Sequence, residues 1–140
     1  MSTAGSRRFK TARCVLRQEG RFLLVEHRTW HGRRRGRWGL PGGRIEWGEA
    51  PEVCVRRELR EELSVDVGYL HEIGDYRYKG ARHLIFGSEF ADEIRGFDKD
   101  EIEQVRWFNL DEINSLESGG RLHAGFEARA VLALQTIFAD

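Results

Sequence analysis

The chain of 140 residues is poor in cysteine and proline, with two of each, and has no apolar run near the roughly 20 residues that span a bilayer. Cys14 and Cys54 form no CxxC pair, which excludes a disulfide scaffold and a zinc site of ordinary spacing. So little cysteine implies a reducing compartment. The opening MSTAGSRRFK lacks the apolar stretch of a secretory leader. A cytoplasmic protein without membrane partners is the expectation. Excess charge of one sign is also missing: 23 Lys and Arg balance 23 Asp and Glu. This disfavours a uniformly basic nucleic-acid binder, although a local patch is still allowed.

Apolar residues make up 40% of the chain and charged residues 33%, enough for one core. Repeats, low-complexity tracts and dividing linkers are absent, so one domain is expected over residues 10–140, after a flexible stretch at 1–9. The charges are unevenly placed. Residues 1–60 hold 15 basic and 6 acidic side chains, and residues 61–140 hold 8 and 17.

TARCVLR and FLLVEHR flank Glu19-Gly20 and predict a hairpin. Trp38-Gly39-Leu40 reads as a short strand, and Pro41-Gly42-Gly43 as a break in regular structure. A helix is expected over residues 50–63. Pro51 suits its first turn, and Val55, Leu59 and Leu63 form its buried stripe. Strands are expected around Val65–Tyr69, Tyr76–Tyr78, His83–Phe90 and Glu103–Phe108. Asp111–Leu116 and His123–Phe138 read as helices, with Asn109 and Asp111 both suited to cap the first. The tyrosines of Tyr76–Tyr78 and the phenylalanines Phe86 and Phe90 read as sheet-face core. The pattern is α/β, a sheet with a helix on each face.

The helix at 50–63 carries the chemistry. With Val55 at 0°, Glu62 falls about 20° away, Glu58 about 60° and Glu61 about 120°. Three carboxylates this close repel unless cations hold them. Arg57 and Arg60 are one source of positive charge. A hard divalent ion, Mg2+ or Mn2+, is the other, and such an ion shares ligands with phosphate oxygens. A Glu/Arg-rich helix alone is usually a solvated face. The preceding Pro41-Gly42-Gly43 turn changes that reading, because it exposes backbone close to the carboxylates.

Gly43, Glu49, Arg57-Glu58-Leu59, Glu61-Glu62 and Val65 stand at the spacing of the Nudix box, and the chain resembles the Nudix hydrolases there. Eight of nine specified positions match over residues 43–65; Ser64 stands where the family has glycine. The resemblance implies an α/β/α sandwich around a central mixed sheet. It also implies Mg2+- or Mn2+-dependent cleavage of a nucleoside diphosphate linked to another group. Glu58, Glu61 and Glu62 would be the core metal ligands, joined by the Gly43 carbonyl, with Arg57 and Glu49 bracing loop against helix. Glu58 could alternatively take a proton from an attacking water. A further carboxylate from a distant segment is expected, with Glu101 and Glu103 both open. Serine at position 64 costs about 1–2 kcal/mol if the helix ends in a left-handed residue there.

Arg33, Arg34, Arg35 and Arg37 form a basic loop that either grips a substrate phosphate or is solvated. Arg44 either faces the diphosphate or pairs with Glu46 or Glu49. Trp47 either stacks on a base or packs in its loop. The five histidines lack metal spacing; His123, near Gly119-Gly120, either comes close to a site or is a local cap or surface residue, and Cys54 reads as an inert thiol. The expected partner is a small nucleoside-diphosphate derivative, and a homodimer is the default assembly. The rival functions are a non-catalytic nucleotide-binding or regulatory domain and an RNA-end pyrophosphohydrolase.

Overall fold

The computed structural model describes residues 8–28 and 36–138. The strands are β1 (Thr11–Gln18), β2 (Arg21–His27), β3 (Gly42–Arg44), β4 (His71–Tyr78), β5 (Ala81–Glu89) and β6 (Ile102–Asn109). The helices are α1 (Pro51–Leu63), α2 (Leu110–Ser118) and α3 (Glu127–Phe138).

Glu19 and Gly20 take positive φ, 50° and 75°, as a two-residue hairpin turn requires, and set Gln18 opposite Arg21. The sheet runs β4-β5-β1-β2-β6. β1 and β5 are parallel from Thr11↔His83 to Arg17↔Glu89, and the other pairs are antiparallel, so the sheet is mixed. β1 and β2 are matched only at Arg17↔Phe22 and Gln18↔Arg21. Beyond that they part, and β3 takes the vacated edge of β1 through Thr11↔Arg44, Ala12↔Gly43 and Arg13↔Gly42. The expected break at Pro41-Gly42-Gly43 is therefore corrected: two of those residues are strand, because the fork leaves β1 backbone groups that need partners.

Period-2 alternation divides the core into two layers. Ala12, Cys14, Leu16, Leu23, Val25, Leu84 and Phe86 pack with Val55, Leu59 and Leu63 of α1. Val15, Phe22, Leu24 and Ile85 pack with Ile113 of α2 and with Ala130, Val131 and Leu134 of α3. The result is the expected α/β/α sandwich.

Several element boundaries differ from expectation; the strand expected at Tyr76–Tyr78 begins at His71, and the helix expected at Asp111–Leu116 runs Leu110–Ser118. Val65, Val67 and Tyr69 belong to no strand. Val65 is buried and Val67 packs on the α1 layer, so their alternation reflects a loop lying on the core. Trp38 and Gly39 make only isolated bridges, to Leu122 and Val25. The last helix starts at Glu127, four residues after His123, because Glu127 folds back to accept the Ala124 and Gly125 N–H groups. Asn109 caps α2 in a reciprocal box with Glu112.

Ser64 ends α1 in the left-handed region, at φ 56° and ψ 36°. Its N–H reaches Arg60 O at 3.0 Å, and Val65 N–H reaches Leu59 O at 3.4 Å. Glycine would relieve the strain but loses more freedom on folding. Ser64→Gly should therefore stabilise by about 1 kcal/mol and raise the melting temperature by about 2–4 °C, read by calorimetry.

Candidate active site

The fork between β1 and β2 opens into a cleft of about 490 Å³. One wall is the Gly42-Gly43 backbone with Glu58 and Glu62 of α1, and Glu101 closes it from across the chain. Ligand oxygens of Glu58, Glu62 and Glu101 all lie within 4.8 Å of one another.

Local packing explains how they meet. Gly42, at φ 137°, donates its N–H to Glu62 Oε1 at 3.1 Å. A Cβ on Gly43 would sit 2.6 Å from the Glu58 carboxyl carbon, so the glycine lets backbone lie against that carboxylate. Glu101 arrives through main-chain bonds: Asp98 N–H to Glu62 O at 2.8 Å, Ile102 N–H to Asp98 O at 2.8 Å, and Arg28 N–H to Glu101 O at 2.8 Å. Arg57 braces the other side. Its Nε and Nη2 hold Glu49 at 2.7 and 3.0 Å, and its Nη1 reaches Glu58 Oε2 and Glu61 Oε1, each at 3.1 Å. Nη2 also donates to Arg44 O, tying loop to helix.

The expected convergence of Glu58, Glu61 and Glu62 is replaced by Glu58, Glu62 and Glu101. Glu62 is 1% exposed and Glu58 13%, whereas Glu61 is 54% exposed and bound to Arg57. Its position on the helical wheel, farthest from Val55, accounts for this. Glu103 is also outside the group: it pairs with Arg28 at 2.5 Å on the surface. Gly43 O accepts from Cys54 Sγ at 3.6 Å, a weak bond that leaves the carbonyl able to serve a cation.

The expected substrate-binding residues separate. Arg44 lines the cleft and makes no ion pair with Glu46, Glu49 or any other described residue. Trp47 is 83% exposed, which corrects loop packing as its setting; it borders a second depression with Phe9, Lys10 and Arg44. Arg37 lines a shallow hollow beside the cleft, with Tyr78 and His123 shared between the two. Arg33, Arg34 and Arg35 lie outside the described residues.

Several cleft residues were not anticipated: Lys10, Arg13, His27, Tyr78, Lys79, His83 and Glu127. His123 lines the cleft as well, the site-side alternative of its two readings. Arg13 had a readable signal. It is a cation between Ala12 and Cys14 in an apolar strand, where an unused charge is expensive.

Burial dominates the electrostatics. It pushes the Glu62 carboxyl up to about 9, helped by Glu58 and opposed by Arg13 and the Gly42 N–H. Glu58 is also raised by burial, against the pull of Arg57. Burial takes His27 down to about 3, with Arg13 adding to the effect, so its 3.7 Å approach to Glu62 is not an ion pair. Arg57 holds Glu49 below the ordinary carboxylate range.

A raised carboxyl binds its proton more tightly folded than unfolded. Without metal, stability from Glu62 should therefore fall as pH rises from about 4.5 toward about 9. A cation that engages Glu62 would have to displace that proton. The rise in melting temperature on adding Mg2+ should be clearly larger at pH 8.5 than at pH 6. Equal rises would show that the ion does not engage Glu62.

Residues 7–129 match the family model of the NUDIX domain. The chain belongs to the Nudix family. It is 30% identical over 115 residues to the NAD-capped RNA hydrolase NudC of Mycobacterium tuberculosis, which covers 80% of this chain. The chain spans 36% of the length of that relative. Among solved structures, the MutT NUDIX hydrolase of Burkholderia pseudomallei is 28% identical, with a TM-score of 0.59 over 73% of this chain and 83% of that one. The NUDIX domain of Shewanella oneidensis NrtR, solved with ADP ribose, shares the fold at 19% identity, with a TM-score of 0.76 over 94% of this chain and 89% of that one. No helix among the described residues is long and apolar enough to cross a membrane.

Proposed function

We propose that this Nudix domain hydrolyses a diphosphate linkage in a nucleoside diphosphate joined to a second group, using Mg2+ or Mn2+. The observation that carries the reading is the meeting of Glu58, Glu62 and Glu101 within 4.8 Å beside the Gly42-Gly43 backbone. All-oxygen donors suit a hard cation. A carboxyl pushed up to about 9 is a group that a cation would stabilise in its charged form.

Glu58, Glu62 and Glu101 would hold the ion, with the Gly43 carbonyl as a further ligand. Glu61 would join them on leaving Arg57. When bound, such an ion acidifies a coordinated water and offsets charge on phosphate oxygens. The chain's own groups do the rest. Arg57 keeps Glu58 and Glu49 aligned, and the Gly42 N–H orients Glu62. Where Glu58 does not hold the ion, it would instead accept a proton from the attacking water. Arg44 and Lys10, on the cleft rim, would face the developing negative charge. Two phosphate-bearing products leave.

The test is a panel of nucleoside triphosphates, ADP-ribose, dinucleoside polyphosphates and nucleotide sugars, assayed with Mg2+ and with Mn2+. At least one should be cleaved at a phosphoanhydride, and cleavage should stop on chelation. Binding without hydrolysis under every metal and pH would favour a regulatory domain. The name of the mycobacterial relative favours a second reading, a nucleotide-capped RNA end as substrate. RNA binding would weaken steeply with salt, whereas a small nucleotide would show a gentler slope.

A further inference from the structure

Strand alternation puts Arg13 on the same side of β1 as Val15, and its side chain lines the cleft. A guanidinium has five N–H donors. Nη1 uses two, on Leu40 O at 3.1 Å and Gly42 O at 3.3 Å. Nε and Nη2 have no hydrogen-bond acceptor among the described residues.

The neighbouring acids do not supply one. Glu62 gives Oε1 to the Gly42 N–H and sets Oε2 toward His27. Glu127 commits Oε2 to the Ala124 N–H at 2.9 Å and Oε1 to the Gly125 N–H at 2.8 Å. A clamp on the Leu40 and Gly42 carbonyls needs only Nη1. The three remaining donors are not among the fully buried unpaired atoms, so they open onto the cleft, where an incoming oxygen can meet them. Nε and Nη2 together form the planar edge that matches two oxygens of a phosphate. Lys10, Arg44 and Lys79 on the same cleft add positive charge around it.

We propose that Arg13 binds the substrate directly, presenting its Nε–Nη2 edge to phosphate oxygens of the diphosphate while Nη1 stays locked on the glycine turn. The assignment rests on reading the cleft as a diphosphate site. It makes Arg13 a substrate-binding residue built into the sheet. Its distance from the box in sequence separates it from every box position.

Arg13→Lys keeps the charge but loses the fork. Binding of inorganic pyrophosphate in saturating Mg2+ is measured by calorimetry, alongside KM and kcat for any cleaved panel substrate and the Mg2+-induced rise in melting temperature. Pyrophosphate affinity should fall, and KM rise, by roughly 10- to 100-fold, with the Mg2+-induced rise retained. Wild-type pyrophosphate affinity in the variant would overturn the proposal. So would loss of the Mg2+ response, since Arg13 would then act through Glu62. Should Arg13→Lys fail to fold, Arg13→Gln retains a donor for Leu40 O and is read by the same measurements. A wild type that cleaves nothing yet binds pyrophosphate through Arg13 sinks the hydrolase reading alone. Cleavage by the wild type with unaltered pyrophosphate binding in the variant sinks only the Arg13 assignment.

Discussion

Glu62→Gln should lower kcat by about 10³-fold, close to 4 kcal/mol of barrier, while leaving the fold intact. Glutamine keeps the shape and an acceptor oxygen for the Gly42 N–H, the bond that seats this side chain at 3.1 Å. It removes the ability to ionise from a group that is 1% exposed and keeps its proton at neutral pH until a cation displaces it. Burying a carboxylate is unfavourable unless a cation compensates it. At neutral pH and without metal, the variant should therefore melt no lower than the wild type, and should gain relative stability as pH rises toward 9. With Mg2+ the order reverses, because the wild type gains an ion that the variant holds poorly. Activity assays and calorimetry with and without Mg2+ check both halves. Full turnover in the variant would remove Glu62 from the site. A large metal-free loss of stability would assign it a structural duty instead.

Adjacent glycines should fail in opposite ways. A Cβ at Gly42 would meet Ala12 O at 2.4 Å and Arg13 Cα at 2.6 Å, and φ there is 137°. Backbone cannot yield as side chains do. Gly42→Ala should cost about 2–5 kcal/mol of stability, combining overpacking with left-handed strain. At Gly43 the obstruction is the far end of Glu58, with its carboxyl oxygens at 2.7 Å. That side chain can swing aside. Gly43→Ala should fold with a melting temperature near that of the wild type and lose about 10²-fold or more in kcat, as expected when a reacting group is displaced by an ångström. Calorimetry and turnover on both variants check the contrast. A catalytically normal Gly43→Ala would show that the Glu58 position is not tightly constrained.

What the sequence revealed depended on how local the cause was. α1, its proline start and its buried stripe follow from spacing within one helix. The wheel also ordered Glu62, Glu58 and Glu61 by distance from Val55, which is their observed order of burial. It could not say that Glu61 falls outside the cluster, because Arg57 takes it through a contact whose geometry spacing does not specify. Glu101 and Glu103 were indistinguishable for a similar reason. Their choice rests on Asp98 donating to Glu62 O, a main-chain bond across 36 residues. Val65 and Val67 mimicked a strand because their loop lies on the core, whereas Tyr69, which is exposed, continued the alternation without a packing cause. Arg13 and Glu127 needed the tertiary fold to show what surrounds them, although a cation set between Ala12 and Cys14 was a visible warning.

The parting of β1 and β2 has a consequence for how the molecule should die on heating. Because β3 is stitched into the gap, the loop that meets the carboxylates is itself part of the ladder, with Thr11, Ala12 and Arg13 as its neighbours. Segments paired into a sheet, even on one side only as β3 is, open later in native proteins than unpaired surface excursions. Inactivation should then coincide with global melting, with no earlier, softer stage in which a folded but incompetent species accumulates.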